Sequence, residues 1–548
     1  MSGSTPNQLR YRVANALRSI EALEAKYESV TVGQLVSLRA RTHGSTTAID
    51  VFERGERATY SEMDTRSNGF AHALRAFGVR KGDRIGVMLP NRIEFVILWF
   101  AVAKLGAVMV PINMRYTPRE VEYVLSDTQA RFAVVDETAW PVFSAMDPWP
   151  KDLGDKRVLV VGQMSSRGAI VTIDSLLESV DDSPVNEEVG ADDPVIIQFT
   201  SGTTGFPKGC ILTHEVLSVA SYTNAYLDRE IYERYLSWAP VFYAEGQGQI
   251  LKSYRRGGTL YLAQKLSSTR FDDWLTSYHI QWCAIPEQIA RQLGNVAAAS
   301  TSLKEVQQNL GWSANSICQF RRQLGVPGYH VYGMTEIGWA TRTPSDIDEM
   351  DTSSSVGIRA PFRELRLVND DGSPTPVGEV GELWVRGRGI FKGYWNNPEA
   401  NAKCFEGGWF KTGDLFRCDD LGFHWIVGRK KDMIRRSAEN IAAREVEAII
   451  RELPEVADVA AVPVPDEMRG EEVKIYVEVR AGGAADDALV QRILEHARAR
   501  LAVFKVPRYV AFIPALPRTS SDKVLKRELM AVPDPITGAY DSDEKRWR

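Results

Sequence analysis

Between about residue 30 and about residue 430, short apolar runs alternate with longer segments of helical period, and this alternation narrows the possible folds most. Arg84–Met88, Phe132–Val135, Val158–Val161 and Val195–Phe199 have the length of strands and are separated by helical stretches. Neighbouring strands lie parallel when a helix carries the chain back over the sheet, so the predicted fold is α/β with largely parallel sheets. At 548 residues the chain exceeds the size at which one core stops growing, and more than one domain is expected.

The last part of the chain reads as a separate, smaller module. Val446, Ile449, Ile450 and Leu453 share one helical face, and Leu489, Val490, Ile493, Leu494, Ala497 and Leu501 form another stripe. Between them Val473, Ile475, Val477 and Val479 alternate with Lys474, Tyr476, Glu478 and Arg480, the pattern of a half-buried strand. This predicts a small, mobile α+β C-terminal domain over 431–548 behind a large α/β N-terminal domain over 1–430. The charged run Gly428-Arg429-Lys430-Lys431-Asp432 is its linker. The polar tail after Pro533 reads as disordered.

Composition removes several function classes. A net charge of −5 is not that of a nucleic-acid binder. Cys210, Cys283, Cys318, Cys404 and Cys418 form no CxxC pair, and the seven histidines no HxxxH spacing, so neither a zinc site nor a disulfide framework is indicated. Scattered cysteines fit a reducing cytoplasm, and the N-terminus lacks the apolar stretch of a signal peptide. Phe95–Met114 imitates a membrane span, but Lys104, Gly106 and Pro111 interrupt it. A buried helix followed by a buried strand is expected there.

The chemistry is concentrated in Val195-Ile-Ile-Gln-Phe-Thr-Ser-Gly-Thr-Thr-Gly-Phe-Pro-Lys-Gly209. An apolar strand enters a loop of Thr200, Ser201, Gly202, Thr203, Thr204 and Gly205, with a helix expected from about Ile211. Glycines let backbone approach a phosphate, hydroxyls and amides donate to its oxygens, and Lys208 adds positive charge. Pro207-Lys208 breaks the spacing of a P-loop.

This segment resembles the signature of the adenylate-forming superfamily, which holds acyl-CoA synthetases, luciferases and peptide-synthetase adenylation domains. Further fragments follow in that family's order: Tyr332-Gly-Met-Thr-Glu336, Trp409-Phe-Lys-Thr-Gly-Asp414, Gly428–Asp432 and Leu516-Pro-Arg-Thr-Ser-Ser-Asp-Lys523. The resemblance is to the acid–CoA ligase type. It implies ATP, Mg²⁺ and coenzyme A, with a carboxylic acid activated as an acyl-adenylate before a thiol captures it. Residues 1–430 would bind nucleotide and acid, and 431–548 would act as the lid.

Carried over by position, Thr200–Lys208 would hold the β- and γ-phosphates, Thr335 the α-phosphate, and Glu336 the Mg²⁺. Gly311, Trp312, Tyr332 and Gly333 would border the adenine. Asp414 would accept from the ribose hydroxyls beside Arg429. Lys523 would stabilise transition-state charge, Lys431 would be the hinge, and Arg436, Ser437, Ala438 and Glu439 would line the thiol tunnel. The basic cluster Arg429, Lys430, Lys431, Arg435 and Arg436 suits a phosphate-rich thiol, or else forms a solvated linker face. Arg469-Gly-Glu471 matches a further family motif, read as structural.

Phe242, Tyr243, Gly246 and Gly333 are the expected acid-site residues. Tyr243 stands where many acyl-CoA synthetases carry His. Peptide-synthetase domains place an Asp in this region to pair with the substrate's ammonium. Tyr243 speaks against an amino-acid substrate here, while neighbouring Glu245 leaves one open. The small Ala244, Gly246 and Gly248 suggest room for a bulky apolar acid.

Three departures from the family stand out. Ala438 replaces a usual Gly, at a cost of about 1 kcal/mol or more if φ is positive. Trp312 places a ring beside the adenine. Asp522 precedes the lysine; two unit charges about 4 Å apart interact by roughly 4 kcal/mol at an effective dielectric of about 20. Pairing of Asp522 with Lys523 would weaken adenylation, leaving an enzyme that runs only the thioester half on a supplied acyl-adenylate, and Asp522→Gly would then raise adenylation. Loading of a separate carrier protein and non-catalytic nucleotide binding are the other readings.

Overall fold

The computed structural model describes residues 6–154, 157–162, 171–172, 181–200, 207–293, 301–309, 312–436, 439–466, 468–519 and 522–548. Two seven-stranded sheets form the large N-terminal domain. One runs in the order Val171–Thr172, Val158–Val161, Phe132–Asp136, Arg84–Met88, Val108–Pro111, Pro194–Thr200 and Lys208–Thr213. Its pairings are parallel except the last. The other places Arg234–Ser237 between Thr259–Leu262 and Trp282–Pro286, again in parallel.

The stretch that imitates a membrane span is the helix Ile93–Lys104 followed by the strand Val108–Pro111. Phe95, Ile97, Trp99 and Phe100 all belong to the main core although they point to different sides of the helix. A helix apolar all round is stable only when covered on every side. Lys104, at its end, reaches Asp64 at 2.6 Å and Asn68 at 2.6 Å. Among the described residues no helix is long and apolar enough to cross a membrane.

A sheet of five strands, Arg363–Val368 to His424–Arg429, closes the N-terminal domain beside the hairpin Val331–Met334/Gly338–Arg342. The small C-terminal domain has a seven-stranded sheet of its own, whose strands run from Met433–Arg436 to Arg546–Trp547. Its helices Ala443–Ile450 and Asp487–Arg500 pack on a core of Val446, Ile450, Val473, Ile475, Val477, Leu489 and Ile493.

Two sequence expectations change here. The strand Gly470–Val479 is covered on both faces, because Lys474 and Tyr476 are as buried as their apolar neighbours. The polar tail is ordered: Tyr540–Asp541 pairs with Tyr509–Val510, and buried Asp541 accepts from Arg548 at 3.0 Å. Ionic anchoring of this kind leaves no mark in hydropathy.

Candidate active site

Thr200 ends one strand of an antiparallel pair and Lys208 begins the other, so the two flank the neck of the loop expected to bind phosphate. The Thr200 hydroxyl donates to the Lys208 carbonyl at 3.4 Å. Ser201, Gly202, Thr203, Thr204 and Gly205 lie outside the described residues. The helix expected from Ile211 begins at His214 instead. Lys208–Thr213 is a strand because Cys210 and Leu212 are buried against the sheet, and Thr213 caps the helix through Val216 N–H.

Lys208 Nζ stands 4.9 Å from the centre of the Tyr394 ring, and the Tyr394 hydroxyl donates to Glu336 Oε1 at 2.9 Å. One tyrosine thus supports both the phosphate lysine and the buried carboxylate. Burial pushes the Cys210 thiol well up, and the Glu336 charge adds to that, so a neutral S–H also faces the carboxylate. Thr335 occupies the same turn, half-buried.

On the nucleoside side, the Tyr332 hydroxyl donates to Asp414 Oδ2 at 2.6 Å, while Arg429 Nε stands 2.7 Å from Oδ1. Burial raises the Asp414 carboxyl, and the Arg429 guanidinium and the phenol pull it back down. Gly333 is exposed, and a Cβ there would fall 2.3 Å from the Gly338 carbonyl across the hairpin, so only glycine fits. Gly311 lies outside the described residues. Trp312 corrects an expectation: its indole is buried against Phe320 and donates to the Ile285 carbonyl at 2.9 Å. The ring fills the second core rather than the adenine site.

From the C-terminal domain, Lys523 enters this same region. Burial lowers its ammonium below the ordinary lysine value; the charge of Arg429 acts in the same sense, against the opposing pull of Glu336 and Asp414. The expected pairing of Asp522 with Lys523 is absent from the geometry. Asp522 has φ +64°, its side chain is exposed, and its carboxylate lies 3.8 Å from Arg518 Nε. The turn points successive side chains in different directions, and aspartate tolerates this left-handed geometry.

Lys431 sits in a single helical turn, Lys430–Asp432, with its ammonium lowered chiefly by burial. Lys430 is held at 3.0 Å by Glu382 and at 2.9 Å by Asp370. Arg436 pairs at 2.6 Å with Glu472, which is fully buried and also binds Arg469 at 2.7 Å. With Arg429 on Asp414, three of the five clustered cations are tied to carboxylates, and the cluster is not a free phosphate patch. The Arg469-Gly-Glu471 motif braces this strand, since Glu471 accepts from Arg435 N–H at 2.6 Å. Ser437 and Ala438 lie outside the described residues, and Glu439 opens the strand Glu439–Ala442.

On the acid side, the Tyr243 hydroxyl accepts from Asn113 Nδ2 at 2.7 Å, and its ring meets Phe242 edge-on at 4.9 Å. Gly246 does not make room for substrate: a Cβ there would fall 2.5 Å from the Pro240 carbonyl. The space beside Gly248 is faced by the Asn224 amide, 3.5 Å from where a Cβ on Gly248 would stand. Glu245 is exposed, yet so walled by protein that burial raises its carboxyl from 4.5 to about 7.

Sequence reasoning missed Tyr394, Asn113 and Glu382. Tyr394 follows Phe391-Lys-Gly, an aromatic–glycine punctuation that marks a close backbone approach. The other two carry no local signal. Among the described residues no group of three or more His, Cys, Asp or Glu side chains is placed to hold a metal ion. Magnesium bound through nucleotide phosphates needs only one or two carboxylates. Glu336, fixed by two neutral donors, fits that requirement.

Comparison with known proteins gives the family and the fold. The family model for AMP-binding enzymes matches residues 36–395, and that for the AMP-binding enzyme C-terminal domain matches 445–523. The long-chain-fatty-acid–CoA ligase FadD13 of Mycobacterium tuberculosis is 32% identical over 495 residues, covering 86% of this chain and 92% of its own. A crotonobetaine/carnitine–CoA ligase of Escherichia coli is 31% identical over 513 residues, covering 89% and 97%. The anthranilate CoA ligase AuaEII, solved with anthranoyl-AMP, superposes with a TM-score of 0.83 at 23% identity, over 93% of this chain and 98% of that one.

Proposed function

We infer the reaction from one premise: the chain belongs to the family of AMP-binding enzymes. It is an AMP-forming acid–thiol ligase, an ATP-dependent acid–CoA ligase that makes an acyl-CoA thioester through an acyl-adenylate. The observation that supports the assignment of residues is that Lys523, from the C-terminal domain, lies within electrostatic reach of Glu336, Asp414 and Arg429 on the N-terminal side. The boundary between the two falls at 430/431. The compartment is the cytoplasm.

A carboxylate is a poor acyl donor because its leaving group would be oxide. Its attack on the α-phosphorus of ATP forms a P–O bond and expels pyrophosphate, leaving a mixed anhydride. Negative charge gathers on the α-phosphate as this happens, and the positive charge of the Lys523 ammonium opposes it. Thr335 stands beside that phosphate and the Thr200–Lys208 neck holds the distal ones. Glu336 would hold Mg²⁺, which supplies charge neutralisation to the polyphosphate. Asp414, oriented by Tyr332 and Arg429, accepts from the ribose hydroxyls.

The CoA thiol then attacks the acyl carbon, forming the C–S bond and releasing AMP. Rotation of the C-terminal domain about Lys431 withdraws Lys523 and brings the tunnel segment 435–440 to the acyl group. The acid has an apolar body, bounded by Phe242 and Tyr243. The thioester-only reading loses its support, since Asp522 faces Arg518 and Trp312 lies in the core.

Acid-dependent ATP–pyrophosphate exchange, followed by mass detection of acyl-CoA, tests the assignment. Lys523→Ala should abolish exchange while still converting synthetic acyl-AMP and CoA to thioester. Transfer to a carrier protein in preference to CoA, or exchange undiminished in the variant, would overturn it.

A further inference from the structure

The segment 239–243 joins the strand Arg234–Ser237 to the helix Ala244–Arg256 and is itself neither strand nor helix. Ala239, Val241 and Phe242 are nevertheless buried, so their backbone polar groups need partners inside the protein. Three buried side-chain amides supply them. Asn91 Nδ2 donates to the Ala239 carbonyl at 3.1 Å, and Asn91 Oδ1 accepts from Val241 N–H at 2.9 Å. Gln247 Nε2 donates to the Val241 carbonyl at 3.2 Å, and Gln198 Nε2 to the Phe242 carbonyl at 3.1 Å. Gln247 Nε2 also donates to Gln198 Oε1 at 3.0 Å, which joins the two glutamines into one clamp.

Gln198 reaches this segment from another part of the site. It lies in the strand Pro194–Thr200, shortly before the neck of the loop expected to bind phosphate. That strand is fixed without it, by pairing with Lys208–Thr213 on one side and Val108–Pro111 on the other. Val241 and Phe242 have no such ladder. A side chain on a fixed strand that bonds an unpaired segment sets where that segment stands. Placement of this kind matters because a shift of about 1 Å between reacting groups can cost about 100-fold in rate.

We propose that Gln198 is a positioning residue for the acid wall: it registers Phe242, and the Tyr243 ring packed edge-on against it at 4.9 Å, to the strand that carries Thr200. This rests on the acid lying beside Phe242 and Tyr243, as assigned above. Gln198 acts through the Phe242 carbonyl rather than on the reacting atoms.

The test measures KM for the acid and KM for ATP separately, by ATP–pyrophosphate exchange of the full-length enzyme with hexanoate, decanoate and benzoate. Gln198→Met keeps the length of the side chain but leaves the Phe242 carbonyl without its donor. A buried acceptor left unpaired costs about 1–3 kcal/mol, so KM for the acid should rise by about 5- to 100-fold. KM for ATP should stay within about twofold of wild type, because the strand keeps its ladder. Gln247→Met removes the other half of the clamp and should shift KM for the acid in the same direction. A merely structural role would reduce the folded fraction, and with it kcat, at unchanged KM. An unchanged KM for the acid in both variants, or a rise in KM for ATP as large as that for the acid, overturns the proposal. If the wild type exchanges with one of these acids and neither variant differs from it, the ligase reading stands and the positioning role falls. Absence of acid-dependent exchange in the wild type across a mixed panel of acids overturns both.

Discussion

Arg429 Nε and Asp414 Oδ1 stand 2.7 Å apart, so the residue immediately before the turn Lys430–Asp432 is bonded to the carboxylate proposed to bind the ribose. The other oxygen of Asp414 is held by Tyr332. On that proposal, nucleotide contact and hinge position share one side chain. Arg429→Ala should raise KM for ATP by about 10- to 100-fold, the worth of one charged hydrogen bond, and slow both half-reactions. Half-reaction kinetics with ATP and with synthetic acyl-AMP check this; a defect confined to the thioester step would contradict it.

Asp522→Gly should leave ATP–pyrophosphate exchange within about twofold of wild type. Glycine adopts φ +64° without strain, and the lost carboxylate faces Arg518 rather than Lys523. A several-fold rise in exchange would show that Asp522 reaches the lysine after all.

Lys252 and Asp228 form a fully buried pair at 2.8 Å, with Arg342 and Glu305 next to them at 3.1 Å from each other. Removing one partner strands a charge in the core. Lys252→Met should destabilise the protein by about 3–5 kcal/mol, and Lys252→Met with Asp228→Leu by clearly less. Denaturant midpoints of the two variants give the comparison; equal losses would refute the pairing argument.

Acid should weaken the fold before it protonates most carboxylates. Burial lowers His214 and His330 from 6.5 to about 4, so both are neutral in the folded protein. Their folded values lie below the unfolded one, so the unfolded chain binds more protons between pH 6.5 and pH 4. Stability is full above the unfolded value and falls as pH drops through this window, by up to about 3 kcal/mol for each histidine. His330→Gln should flatten the fall measured by thermal unfolding across the same range.

Local patterns carry a good deal of this molecule. The strands at Arg84, Phe132, Val158 and Val195 and the buried helix before Val108 follow from runs of apolar residues. Asp414, Glu336 and Lys523 are legible as motif, and in the structure the charges of Glu336 and Asp414 reach the Lys523 ammonium from distant segments. What escapes depends on contacts between residues remote in sequence. Nothing near Tyr394 announces that it serves both Lys208 and Glu336, and nothing near Trp312 tells a core ring from an adenine wall. In the strand Lys208–Thr213, six residues are too few for period to separate a strand from the start of a helix. The tail after Pro533 is polar enough to pass for disorder, and its order comes from ion pairs at buried Asp541.

The C-terminal domain keeps its apolar residues to itself, in clusters built around Val446 and Ile475 and around Val462 and Leu529. The last residue before the boundary, Lys430, is tied to Asp370 and Glu382 of its own N-terminal domain, so the turn Lys430–Asp432 is anchored at one end. Two units whose apolar clusters are separate hold together independently of one another. Limited proteolysis should therefore release the C-terminal fragment as a folded cassette, which makes it the natural unit for exchange between related ligases.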